Sequence, residues 1–520
     1  MEQGLSGRVA RVLLVVAILT TLSHCSAVAM ARPPMIGPLI VLQAMTPGES
    51  EKTSVPSKSQ RSEAEYWLKR GELKRAIVAY RSAIASNDRD MQSYYGLAVA
   101  LDGVRALREE RVALERAVQL DSSFAPARNQ LGLLDMREGK NTEAETELKE
   151  AITLDPHYAE AKNNLGVLML RLGENTKAEE WFRQAIGDET QYVQAMVNLG
   201  SLQASEGRLA EAHEVLGQAI GAAPRNVDAL TEDAMVLMKM NRGSDAVAAF
   251  RTAVGLEPKR ADIHVGLGIA MADTGDLQGA LAEFTHAVRL DPRSGIAHYN
   301  RGRVLRDLHH DVEAKAELET AVRLNANEAE WWSTLASVAR TTGDKQELLR
   351  GLRMAAALEP RSARRRSELG QAMQEMGDKN GAIMQWREAL SIDPDNRAAL
   401  YALSRALMRT QSEEAQRMQA RLRDLISLER ATDESQTMGN DALNAAASGD
   451  WSRAIAQLRA AIERCGECTA GPLLHKDLGL VYCRSGDLKN GERELLEAKK
   501  MMPDDKDIAR TLGIIGSRAR

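Results

Sequence analysis

ADIHVGLGIAMADTGDLQGALAEFTHAVRLDPRS, residues Ala261 to Ser294, is the stretch from which the rest of the chain can be read. Leu267–Gly268 is followed by Gly275, then by Ala280, Phe284 and Ala287, and the segment closes on Asp291–Pro292. Each landmark has a mechanical reason. Two helices cross closely only where side chains are small, which places Gly268 and Ala280 at the contact of a helical hairpin. Phe284 fills the space beside that contact. Gly275 supplies the turn between the helices. Pro292 ends the second helix because it has no N–H to donate.

The same landmarks return every 34 residues. The small site of Ala287 recurs as Ala83, Ala117, Ala151, Ala185, Ala219, Ala253, Ala321, Ala355 and Ala389, with no insertion between Ser57 and Asn396. The crossing site gives Gly132, Gly166, Gly200, Gly302 and Gly370, with Ala98, Ala234 and Ala336 as small substitutes. Closing prolines stand at Pro156, Pro224, Pro258, Pro360 and Pro394. This pattern resembles the tetratricopeptide repeat, a 34-residue unit of the form W-x2-L-G-x2-Y, A-x3-F and P. The resemblance implies an all-α fold, a superhelical solenoid of antiparallel helix pairs in which each repeat touches only its neighbours.

A chain of 520 residues would otherwise read as three or four domains; the period replaces that expectation with one array. Aromatic residues are only 4%, as expected where tight helix crossings build the core. A net charge of −5 creates no global field that argues for nucleic acid or an anionic membrane. Four cysteines are too few for a disulfide-built scaffold.

Residues 1–31 read as a secretory signal: Arg8 and Arg11, the apolar stretch Val12 to Leu22, then small residues around Ala27, Ala29 and Ala31. That stretch is too short to span a bilayer, which takes roughly 20 residues. An uncleaved anchor is the alternative. The protein is therefore expected outside the cytoplasm, periplasmic or extracellular. Residues 32–56, with Pro33, Pro34, Pro38, Pro47 and Pro56, form a linker. Ten repeats occupy 57–396, the first of them degenerate and suited to a cap. The register fails in 397–434, where a degenerate repeat leads into a longer, bridging helix with Gly439 as its one breaker before Ser448. Two more repeats cover 435–505, and 506–520 supplies a single capping helix.

Catalytic signatures are absent: no P-loop, no H-E-x-x-H, no dinucleotide fingerprint, no G-x-S-x-G elbow. Cys465, Cys468, His475 and Cys483 make a zinc set on paper. His475 and Cys483, however, lie eight residues and so about 12 Å apart on one helix, too far to share a zinc. In an oxidising compartment Cys465 and Cys468 could close a disulfide, or they are small buried residues. No cofactor or metal is implied.

In the tetratricopeptide family the first helix of each repeat lines the concave groove. The sixth residue of the repeat is Gln130, Asn164, Asn198 and Asn300 in four copies, interrupted by Glu232 and Gly266. A primary amide donates and accepts at once, so these four residues are the candidate peptide contacts, similar to the asparagine ladder of the O-linked N-acetylglucosamine transferase superhelix. Asparagine as polar filler is the competing reading. A basic run including Arg301, Arg303, Arg306, Arg340 and Arg364 could receive an acidic peptide, or be solvated and balanced by nearby carboxylates. The expectation is a non-enzymatic scaffold of the cell envelope that binds other proteins or peptides. An accessory factor of a polysaccharide-export, secretion or pilus machine is the alternative.

Overall fold

The computed structural model describes residues 57–518. The expected export segment and proline linker lie outside the described residues. Within them there are 26 helices and no strand. They fall into two compact units, one ending at Leu308 and the other beginning at His309, so the boundary cuts the eighth repeat at its internal turn.

In the first unit each repeat is a first helix of 13 or 14 residues and a second of 14, as in Ala159–Arg171 with Asn175–Asp188. The turn between them needs one residue in the left-handed region. Glycine takes it at Gly139, Gly173, Gly207 and Gly275, with φ between +78° and +90°. Arg105 and Asn241 are forced into the same conformation at φ 58° and 59°.

The crossing site behaves as the sequence demands, with one refinement. A Cβ at Gly166 would lie 2.6 Å from the Phe182 ring, and one at Gly268 would lie 2.7 Å from Phe284. Where the site is alanine, the aromatic residue of the second helix turns forward instead. Phe250, in the repeat of Ala234, presses to within 2.5 Å of a Cβ position at Gly266 of the next repeat. Tyr80, in the repeat of Ala64, does the same to Gly96. Gly266 therefore interrupts the amide series because a phenyl ring occupies its place.

Asp155 and Asp291 shape the passage between repeats: each carboxylate accepts the backbone N–H two residues on, at 3.0 Å. The fourth residue of the next repeat then ties the turn down from above. His264 Nε2 meets the Pro258 carbonyl at 3.0 Å, and in the second unit Trp332 Nε1 donates to the Ala326 carbonyl at 2.8 Å.

The second unit continues in pairs to Ile392 and then departs from them. Ser412–Ala447 is one helix of 36 residues. Its start packs Ala415 against Leu403 and Leu407 of the preceding helix. Its end packs Ala442, Ala445 and Ala446 against Ala454 and Leu458 of the following one. One continuous helix thus serves as the second helix of one repeat and the first of the next. Beyond it, Cys465 and Cys468 are joined in a disulfide across the turn between Trp451–Cys465 and Gly471–Ser485, both sulfurs buried. His475 is engaged by Glu494 at 2.8 Å, and Cys483 remains a thiol that burial pushes above its ordinary pKa.

Candidate functional site

First helices of neighbouring repeats in the first unit touch one another as well as their own partners, so they form its inner face. The face of residues 91–205 is where polar side chains gather. Asn164 Nδ2 donates to Asn129 Oδ1 of the preceding repeat at 2.9 Å. Asn198 Nδ2 likewise donates back to Asn163 Oδ1 at 2.8 Å. Gln194 Nε2 reaches Asn198 at 3.3 Å and Asn163 Nδ2 reaches Asn164 Oδ1 at 3.4 Å. Asn129 completes the series by donating to Glu160 Oε1 at 3.0 Å. Five amides across three repeats therefore form one directed chain that ends on a carboxylate. Each donor polarises the next.

Around Glu160 stand aromatic residues. Phe124, Tyr158 and Tyr192 immediately precede three successive repeats, and Tyr95 projects from the first helix of the second. Tyr95 and Phe124 pack edge to face with centroids 5.1 Å apart. The Tyr158 hydroxyl lies 3.5 Å from Glu160 and from the Asn129 amide. Burial pushes the Tyr95 phenol up to about 12, with the charge of Glu160 adding to the effect and a hydrogen bond from Gln130 opposing it. Tyr158 and Tyr192 are raised for the same two reasons, burial first and Glu160 second. Glu160 itself is raised by burial, against the hydrogen bonds from Asn129 and Tyr158.

Of the four amides singled out in the sequence, the structure links Asn164 and Asn198 through Asn163. It sets Gln130 beside this chain, hydrogen-bonded to Tyr95, and leaves Asn300 apart. Asn300 donates to the Ile296 carbonyl of its own helix at 2.9 Å and accepts from Arg303 at 3.1 Å. The sixth-position amides are thus occupied mainly with fifth-position partners, Asn129 and Asn163, which the sequence reading passed over. The missed signal was available: Phe124, Tyr158 and Tyr192 are themselves 34 residues apart.

The arginines of the basic run fall in both units. Arg301, Arg303 and Arg306 belong to the first unit, Arg340 and Arg364 to the second. Arg301 is half-buried, and Arg303 lies over the Tyr299 ring with its guanidinium carbon 5.6 Å from the centroid. Arg306 pairs with Asp307 at 2.9 Å. Arg340 pairs with Glu375, and Arg364 with Glu330 at 3.4 Å. Among the described residues no group of His, Cys, Asp and Glu could hold a metal, and no helix is long and apolar enough to cross a membrane.

Hairpins of this length, crossing on glycine and stacked in register, define a helical-repeat protein with a polar and aromatic inner face. The chain is a tetratricopeptide-repeat protein: models of the tetratricopeptide repeat match residues 129–193 and 231–295, 193–226, and 271–338. No curated protein matches it in sequence. Solved structures similar in fold include PilF of Pseudomonas aeruginosa, 19% identical over 42% of this chain and 98% of that one, with a TM-score of 0.38. PilW, described as a type IV pilus biogenesis factor, is 22% identical over 40% of this chain and 96% of its own, at 0.37. YrrB, a tetratricopeptide protein with an unusual peptide-binding site, is 22% identical over 34% and 92%, at 0.30.

Proposed function

We propose that this protein is a non-enzymatic scaffold of the cell envelope that holds an extended segment of another protein along the inner helices of residues 91–205. The observation that carries the reading is the inner face itself. A preformed row of amides and aromatic rings offers hydrogen bonds and flat apolar surface to a peptide, and a rigid array loses little entropy on binding. The amides that hold the repeats together are half satisfied by neighbours, and Gln194 at the end of the chain is exposed. The envelope location rests on the charged, apolar and small-residue order of 1–31.

A photo-crosslinking residue at Gln194 in the full-length protein, compared with one at the exposed outer-face Arg183, tests the function. Discrete adducts from position 194 to a linear stretch of partner are expected. Adducts from position 183 alone would move the binding surface to the outer helices. Adducts with secretion or pilus subunits would narrow the scaffold to an accessory factor of that machine. N-terminal sequencing of the native product should find a start near Met30 or Arg32; an intact Met1 on a cytosolic product would refute the location.

A further inference from the structure

We infer that Glu160, set among Tyr95, Tyr158 and Tyr192, receives a cationic side chain, arginine or lysine, of the extended segment held on the inner face. This inference rests on the groove reading and adds to it the charge of the occupant.

Most carboxylates of this protein that leave bulk water have a basic partner. Asp135 is paired with Arg111 at 2.6 Å, Glu110 with Arg137 at 3.0 Å, and Asp188 with Lys162. Glu160 is half-buried and has none among the described residues. A partly desolvated carboxylate without a counter-charge is costly, and such groups concentrate where a ligand supplies what is missing. The hydrogen bonds that Glu160 receives favour its ionised form, against the burial that disfavours it. The amide chain that starts at Gln194 delivers its last donor, Asn129 Nδ2, to Oε1 at 3.0 Å, leaving Oε2 with only the 3.5 Å contact to the Tyr158 hydroxyl. That second oxygen has capacity for a strong, charge-assisted bond. Tyr95, Tyr158 and Tyr192 stand close enough to feel the charge of Glu160, and aromatic rings attract guanidinium and ammonium groups.

The charge continues along the face. Glu232 holds the sixth position two repeats beyond Asn164, accepts a hydrogen bond from Ser201 at 2.7 Å, and forms no ion pair among the described residues. Burial raises its pKa as it does that of Glu160. An acidic segment would be repelled at both places, and a neutral one would leave both carboxylates desolvated and unpaired.

The test uses the full-length protein and two fluorescein-labelled octapeptides of alternating alanine and arginine or alanine and citrulline, read by anisotropy. Citrulline keeps the shape and removes the charge. The arginine peptide should bind at least about tenfold more tightly. Glu160→Gln should remove most of that advantage, while Glu413→Gln, on a carboxylate with 89% of its side chain exposed, should keep it. Equal binding of the two peptides, binding of neither, or an arginine preference that survives Glu160→Gln with intact helicity would each overturn the inference. The groove reading is judged separately: if Tyr158→Ala weakens both peptides alike, or Gln194 still crosslinks to a partner, the groove stands and only the charge assignment falls.

Discussion

At the scale of single residues, Asn164 is where structure and recognition compete. Its side chain is buried, donates to Asn129 and accepts from Asn163. Removing it leaves amide groups on both sides without a partner. Asn164→Ala is therefore expected to cost about 1–3 kcal/mol of stability, measured by urea denaturation. Asn300→Ala, whose amide bonds only within its own helix, should cost less, about 0.5–1 kcal/mol. Glu110 gives a second residue-scale expectation. Burial pushes its carboxyl up from 4.5 to about 7, although Arg137 opposes the rise. Below the unfolded value the group is protonated in both states and nothing is lost. Above 4.5 the unfolded chain gives up this proton while the folded protein keeps it, so stability falls as the pH rises toward 7 and levels off once the folded carboxyl has ionised too. Glu110→Gln should flatten that slope, the difference between the two proteins growing by roughly 3 kcal/mol from pH 4.5 to pH 8.

At the scale of the helical hairpin, small residues decide geometry, and two substitutions expose how. Arg105 sits in the left-handed turn position that glycine fills in most repeats. Arg105→Gly should stabilise the protein by about 0.5–1 kcal/mol, because a side chain in that conformation costs about 1–2 kcal/mol and glycine's extra unfolded-state freedom offsets part of the gain. Thermal melts of both proteins would show it. Gly266→Ala should do the reverse. Its new Cβ would strike the Phe250 ring, so a loss of about 1–3 kcal/mol is expected, as large as for the more conspicuous Gly268. The helices, their turns and their crossings were legible in the sequence because each is set by contacts within 34 residues. Gly266 was read there as a gap in a ladder. That a ring turns forward when the crossing residue is Ala234 rather than glycine depends on packing between repeats. The amide chain was half legible for the same reason. The sixth positions stood out by period, but their fifth-position partners lie 35 residues away, one step off the register.

At the scale of the whole molecule, an array stabilised by neighbours fails locally. The Cys465–Cys468 disulfide joins residues three apart in sequence at the turn of a C-terminal hairpin, among the buried side chains of Leu474 and Leu478. A loop this short constrains the unfolded chain by only about 2 kcal/mol. Cys468→Ser should accordingly raise hydrogen exchange across residues 451–485 by that amount and leave the amides of residues 57–308 unchanged. A loss spread evenly over both units would contradict local failure.

The helix Ser412–Ala447 sets how this chain yields under tension. Pulled from its ends, a tandem array peels one hairpin at a time, because every interhelical turn is a place where the next pair can let go. Over 36 residues this chain has no such turn. Peeling the repeat that ends in this helix strips the first helix from the repeat that follows, so residues 397–465 must give way in one event. A force trace would show a single long step there, roughly twice a hairpin's length, and a protease that nicks the turns would find none to cut between Ser412 and Ala447.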